Sequence, residues 1–188
     1  MTRELIVTEN ITVDSVIDAA GDWFSPSGAE NRDDVAEMRA VEERLRAPAD
    51  GVLLGRLTFE SFRSYWPQQT DDTTGVSDYL NQVEKYVVSS TLTKPDWEHT
   101  TILRGEVADE VAALKAQPGG DIVTTGSITL VHALNQTGLV DEYRLFVYPV
   151  ALGRGQRLFE DPVGQPDLKL VEAHSFNSGV VLLRYRTH

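Results

Sequence analysis

Three short apolar stretches in this chain end in small or hydroxyl-bearing residues: Leu54-Gly55-Arg56 with Thr58, Val88-Ser89-Ser90-Thr91, and Thr124-Thr125-Gly126-Ser127. Glycine lets a backbone close on a ligand, hydroxyls complete an oxygen shell around a phosphate, and the planar guanidinium of Arg56 suits phosphate geometry. Each alone is ordinary turn and cap chemistry. The threefold recurrence points to a nucleotide or dinucleotide site. A second group offers acid–base and stacking chemistry. Asp14, in Thr12-Val-Asp-Ser-Val-Ile17, is a carboxylate in an otherwise apolar extended piece, where desolvation would raise its pKa toward acid–base use; the alternative is a turn aspartate bonded to local backbone. Trp23, Phe24, Tyr65 and Trp66 offer flat faces for a heterocycle, or anchors for core and loops.

Other chemistries lack their residues. The chain has no cysteine, which removes disulfides, thiolate metal sites and thiol nucleophiles together. His99, His132, His174 and His188 show no ligand spacing. Gly153-Arg-Gly-Gln-Arg157 begins like a dinucleotide fingerprint but continues into Leu158, with no helix signal after it. Neither a Walker A sequence nor a G-x-S-x-G elbow occurs. The 188 residues carry 29 acids against 17 Lys and Arg, a formal charge of -12, so nucleic acid and anionic membranes are disfavoured partners. Twelve of the acids but five of the bases lie in the first 50 residues, so the acid excess is uneven and most of the bases lie after Gly51. The apolar run before Thr8 is too short for a signal sequence, and the cytoplasm is the expected compartment.

These residues need elements to hold them. Leu5–Val7 reads as a strand and Ile11–Ile17 as a second extended piece, with a turn-rich loop over 21–32. Val35, Met38, Val41 and Leu45 recur at helical spacing over about 33–47, with Asn31 or Asp33 as cap. Strands follow at 50–56, 85–90 and 101–103, with a helix from Thr58 and a polar loop over 67–78. Val107, Val111 and Leu114 mark a helix stopped by Gln117-Pro-Gly-Gly120; then come a strand at 121–125, a helix carrying Leu130, Val131 and Leu134, and a strand over 142–150. Residues 168–176 and 180–186 flank Asn177-Ser-Gly179 as a closing hairpin. Strands alternating with helices and then an all-β end predict one three-layer α/β/α domain over 1–188, with a mixed, mostly parallel sheet. Ligands of such sheets bind beyond the carboxyl ends of the strands.

Gly55-Arg-Leu-Thr-Phe59, Tyr86-Val-Val-Ser-Ser-Thr-Leu92, Leu103-Arg-Gly105, Gly120-Asp-Ile-Val-Thr-Thr-Gly-Ser-Ile-Thr-Leu130, Leu139-Val-Asp-Glu142, Pro149-Val-Ala-Leu-Gly-Arg-Gly155 and Ser178-Gly-Val-Val-Leu-Leu-Arg-Tyr185 occur in order along the chain. As a set they resemble the dihydrofolate reductase-like proteins related to the C-terminal reductase domain of the riboflavin-pathway bifunctional deaminase/reductase. That resemblance implies a dihydrofolate reductase-like fold with NADPH as hydride donor. It implies that Gly55, Arg56, Thr58, Ser89, Ser90 and Thr91 hold phosphates, the 2′-phosphate included. It further places Arg104 and Gly105 by the adenosine, and Thr125, Gly126 and Ser127, backed by Ile128, at the pyrophosphate. The family's Ser-Leu-Asp-Gly is here Thr12-Val13-Asp14-Ser15, which keeps the acid and loses the glycine. The acid that holds pteridine in a true dihydrofolate reductase has no unique counterpart among Asp33, Asp34 and Glu37.

The expected activity is an NADPH-dependent reductase acting on a C=N or C=O group of a small pyrimidine- or pterin-like substrate, resembling 5-amino-6-(5-phosphoribosylamino)uracil reductase. Asp14 orients substrate or helps deliver the proton, and Trp23, Phe24 and Trp66 line the pocket. The rival is a nucleotide-binding protein of the same fold without turnover. A homodimer formed through Val180-Val-Leu-Leu183 is compatible with either.

Overall fold

Leu5–Val7, Val52–Leu54 and Ile122–Thr124 are nearly continuous apolar runs because they are inner strands covered on both faces, the condition under which parallel sheets lose the alternation of half-buried strands. The computed structural model describes residues 2–19, 23, 35–72, 74–159 and 167–188. In chain order the elements are β1 (Leu5–Thr12), α1 (Val35–Arg46), β2 (Ala49–Gly55), α2 (Arg56–Tyr65), a 3-10 turn (Trp66–Gln68), α3 (Val76–Gln82), β3 (Glu84–Val88), β4 (Thr100–Leu103), α4 (Val107–Lys115), β5 (Asp121–Thr124), α5 (Ile128–Asn135), β6 (Glu142–Tyr148), β7 (Leu168–Ser175) and β8 (Val181–Thr187).

The eight strands form one sheet in the order β4-β3-β2-β5-β1-β6-β8-β7. β1 to β6 are mutually parallel, and β8 and β7 close the sheet antiparallel. This is the mixed, mostly parallel sheet with a C-terminal hairpin that the sequence predicted. Alternate residues serve two layers. Leu5, Val7, Leu53, Ile122, Tyr143 and Leu145 pack with Val111 and Leu114 of α4 and Leu130, Val131 and Leu134 of α5. On the opposite face Val52, Leu54 and Val87 meet Phe59 of α2 and Leu80 of α3, while Phe146, Tyr148 and Leu182 meet Leu45 of α1. Fully burying Phe59 (0% exposed) contributes about 1.5–3 kcal/mol to holding α2 on the sheet.

Four local expectations differ from the structure. Residues 5–12 form one strand rather than two pieces; the chain turns at Val13–Asp14, and Val16 makes a single bridge to Arg157. The polar loop over 67–78 contains the start of α3, whose Ser77 amide and Thr74 are held by the Asp72 carboxylate, so polar residues there organise a helix entry. Trp66 is buried among Phe59, Leu80 and Val83. β8 is an interior strand paired on both sides, with Val180 and Leu182 at 0% exposure, so Val180–Leu183 offers no free edge for a partner; the edge strand beyond it is β7. No described helix is long and apolar enough to cross a membrane.

Candidate functional site

Because β1 to β6 are parallel, their carboxyl ends share one edge, and the register aligns them. Leu53 pairs with Thr124 and Gly55 with Val88, while Val88 pairs with Leu103. Arg56, Ser89 and Arg104 therefore leave their strands at one level, on neighbours about 4.8 Å apart. The three glycine- or hydroxyl-ended stretches are thus one continuous rim.

The centre of the rim lies where β2 runs into α2 and β5 into α5. The Gly55 amide donates to Ser127 Oγ (3.0 Å), and the Ser127 amide donates to Thr58 Oγ1 (2.9 Å). Gly126 takes φ +58° and Ser127 φ +47°, two successive left-handed residues. That conformation is free for glycine but costs a serine of order 1 kcal/mol, which the two hydrogen bonds offset. Gly55 and Ser127 are the residues preceding the two helices, and neither caps its helix with its side chain. The opening amides of α2 and α5 therefore meet at one point without a side-chain partner, each backed by the positive end of a helix dipole. A polyanion is the ligand such a place accepts.

Three donors are already engaged. The Gly126 amide points at Glu9 Oε2 (3.1 Å), and the Ser127 and Gly55 amides serve the clamp between the two helices. Residues 125–127 thus shape the site, and the amides available to an anion are those opening α2 from Arg56 and α5 from Ile128. Arg56 stands exposed beside them, paired with Glu60 (3.0 Å) one turn along α2.

The β3–β4 side contributes more structure than cation. Ser89 is buried, and its Oγ accepts the amides of Thr91 and Leu92 (3.2 and 2.9 Å). The Arg104 guanidinium donates to the carbonyls of Ser90 and Leu92, and the Arg104 and Gly105 amides donate to Glu110 Oε1. Ser90 and Thr91 remain exposed on the rim. Arg104 therefore braces the loop that carries them.

Asp14 lies at the β1–β6 end of the edge, and its electrostatics correct the expectation of a raised pKa. Its carboxylate accepts from Thr12 Oγ1 (2.6 Å) and from the amides of Gly153 (2.7 Å) and Leu152 (3.2 Å). The Thr12 hydroxyl first, then the Gly153 amide, hold its pKa down at about 2, outweighing desolvation. Asp14 is the turn aspartate of the alternative reading, ionised at neutral pH and tying the β6 exit loop to β1. Ser15 takes φ +70°.

Of the aromatic candidates, Trp23 packs edge-on against Tyr148 at the end of β6 (5.6 Å between centroids), its indole N–H donating to the Asp18 carbonyl (2.9 Å). Phe24 lies outside the described residues, as do Asp33 and Asp34. Trp66, 8% exposed in the α2–α3 core, lines no rim, whereas Tyr65 beside it is 47% exposed. Glu37 is bonded to His174 of β7 (2.9 Å).

Sequence reasoning missed Glu9. It is 3% exposed on β1, level with Gly126, and burial pushes its pKa well above the usual carboxylate range against the Gly126 hydrogen bond. The available signal was a lone acid in Leu5-Ile-Val-Thr-Glu-Asn-Ile11, a run otherwise fit for a central strand. Among the described residues no cluster of three or more His, Asp or Glu side chains could hold a metal.

The family model of the RibD C-terminal domain matches residues 3–182. The uncharacterized protein YyaP of Bacillus subtilis (strain 168) is 36% identical over 138 residues, spanning 72% of this chain and 73% of that one. Among solved structures, a putative riboflavin biosynthesis protein from Shewanella sp. PV-4 superposes with a TM-score of 0.73 at 19% identity, covering 100% of this chain and 99% of the other. The Thermotoga maritima diaminohydroxyphosphoribosylaminopyrimidine deaminase/5-amino-6-(5-phosphoribosylamino)uracil reductase does so with a TM-score of 0.65 at 16% identity, over 100% of this chain and 57% of that longer one. These likenesses establish a shared fold, the dihydrofolate reductase-like one. With a family match across nearly its whole length and a relative of 36% identity, the chain belongs to the RibD C-terminal domain family.

Proposed function

We propose that the chain is an NADPH-dependent reductase that delivers a hydride to a C=N or C=O group of a small pyrimidine- or pterin-like heterocycle. The observation that carries this reading is the convergence of two uncapped helix N-termini, α2 and α5, at the carboxyl edge of the parallel sheet, clamped together by the Gly55–Ser127 and Ser127–Thr58 hydrogen bonds. The opening amides of these helices fit a pyrophosphate, and exposed Arg56 fits a further phosphate on the adenosine side. Ser90 and Thr91 supply hydroxyls on that side, on the loop that Arg104 braces. Bound there, NADPH supplies the hydride, and the protein's contribution is position and field.

The heterocycle lies toward the β1–β6 end, where half-buried Trp23 packs edge-on against the buried Tyr148 ring. Asp14, ionised and saturated with donors, keeps the 152–153 backbone in place and orients the substrate side of the site; it is not the acid. The Thermotoga maritima structure of the same fold is named a 5-amino-6-(5-phosphoribosylamino)uracil reductase, which makes ribosylaminopyrimidines and pterins the first substrates to try. The assay is loss of NADPH absorbance with a panel of both. Turnover of any member supports the reading; tight NADPH binding with no oxidation across the panel favours the rival, a nucleotide-binding protein without turnover.

A further inference from the structure

Glu9 is a buried acid that neither cofactor binding nor hydride delivery calls for. One carboxyl oxygen accepts the Gly126 amide at 3.1 Å, while the other, Oε1, is fully buried with no hydrogen-bond partner. Thr124 Oγ1 is buried and unpartnered in the same way, and the pairing of Val7 with Thr124 puts it on the α5 face of the sheet, the face that carries Glu9. Two orphan polar atoms on adjacent strands thus lie beneath the turn that opens α5. Among the described residues no cation pairs with Glu9, so an ionised carboxylate in that place would be uncompensated. Burial, the larger influence, favours the neutral form of Glu9 and the Gly126 amide opposes it.

The surrounding titratable and charged groups are otherwise occupied. Tyr143 of β6, pushed up to about 12 by burial, donates its hydroxyl to Asn135 Oδ1 (2.8 Å). His132 of α5 contacts the Arg157 carbonyl, Arg157 donates to the Asp14 carbonyl, and Arg56 and Glu60 of α2 pair with each other. Asp14 stays ionised on the far side of its turn.

We propose that Glu9 is a positioning residue that works as a neutral acid: protonated, it holds the β5–α5 turn in its anion-receptive shape, and its ionisation, by setting a buried negative charge beneath that turn, weakens the binding of phosphate-bearing ligands. The inference rests on the reading of this turn as the cofactor site. Linkage makes the effect reciprocal: a bound polyanion raises the proton affinity of Glu9 by the factor that ionisation takes from the polyanion.

The test is calorimetric titration of NADPH into the wild-type protein, Glu9→Gln and Glu9→Ala from pH 6 to 9.5, with circular dichroism to confirm folding. Glutamine keeps an acceptor for the Gly126 amide and cannot ionise, so Glu9→Gln matches the wild type at pH 6 and stays tight at pH 9.5. As Glu9 ionises toward the alkaline end the wild type weakens, by about tenfold for a buried charge acting on a bound polyanion at intermediate dielectric with partial screening. Glu9→Ala, without the acceptor, binds more weakly at every pH. Parallel wild-type and Glu9→Gln profiles across the range, or a Glu9→Ala affinity equal to wild type, overturn the role of Glu9 while leaving the cofactor site standing. No saturable NADPH binding by the wild type refutes the cofactor reading, and this inference with it. Titration of the ligand's own phosphates is common to all three proteins and cancels in the comparison.

Discussion

Replacing Arg56 by alanine tests the site most directly, because the structure sets the size of the effect. Arg56 is the first residue of α2 and pairs with Glu60 at 3.0 Å, the two side chains being 42% and 33% exposed. A charge-assisted hydrogen bond to a phosphate is worth about 1.5–3 kcal/mol. Releasing Arg56 from Glu60 costs up to about 1 kcal/mol, the usual ceiling for an exposed pair. The net contribution to a 2′-phosphate is therefore about 1–2 kcal/mol, which is roughly 5- to 30-fold in Kd. Calorimetry with NADPH and NADH in parallel reads it: Arg56→Ala weakens NADPH by that factor and leaves NADH within about twofold. Glu60→Gln, which frees the guanidinium and removes a nearby negative charge, tightens NADPH by a few-fold and shows a shallower gain with NADH. Raising salt narrows the difference, since both partners are solvent-exposed. Equal losses for the two nucleotides in Arg56→Ala would refute the 2′-phosphate assignment and leave Arg56 as a general electrostatic contributor.

Three further outcomes follow from local geometry. Thr58→Val keeps the shape of the side chain but leaves the Ser127 amide without its acceptor, lowering stability by about 1–3 kcal/mol in urea unfolding and weakening NADPH as the two helix N-termini separate. Lys85, fully buried, donates to the carbonyls of Leu80 and Val83 at the end of α3, and burial brings its pKa from 10.5 down to about 8 despite Glu84 and Glu98. Its folded value lies below its unfolded one, so the native state holds fewer protons between these values. Stability should therefore rise from about pH 8 to 10.5, by about 3 kcal/mol if the full shift is realised, and this rise should vanish in Lys85→Met. Ser15→Gly relieves a left-handed residue (φ +70°) and raises stability by about 0.5 kcal/mol after the unfolded-state entropy of glycine is set against it, with thermal melts as the measure.

Much of the molecule was legible in local pattern. Val52–Leu54 and Ile122–Thr124 are short apolar runs ending at a glycine or hydroxyl just before a helix, and both are central parallel strands entering α2 and α5. Asn177-Ser-Gly179 between two β-rich segments marked the β7–β8 hairpin. Residue type and spacing suffice there because strand alternation, helix period and turn chemistry act within a few residues. The same local reading erred at Trp66, whose flat face suggested a pocket wall: it packs under α3, an element the polar run 67–78 concealed. It left Asp14 open as well, because the carboxylate's pKa is lowered partly by the amides of Leu152 and Gly153, 138 and 139 residues away.

By itself the sequence determined the element types, the parallel character of the inner strands, the absence of thiol chemistry and the collection of glycine, hydroxyl and arginine residues at strand ends. Only the tertiary structure decided what those ends do together. β5 inserts between β1 and β2, and those two long-range pairings bring Gly55 to Ser127 and Glu9 to Gly126 across 72 and 117 residues of chain. They also engage three residues expected at the phosphates: the amides of Gly55 and Ser127 form the clamp that aims two helices at one point, and the Gly126 amide is held by Glu9. Burial and hydrogen-bond direction are properties of neighbours, and in a sheet of this order the neighbours that matter are far apart in the chain.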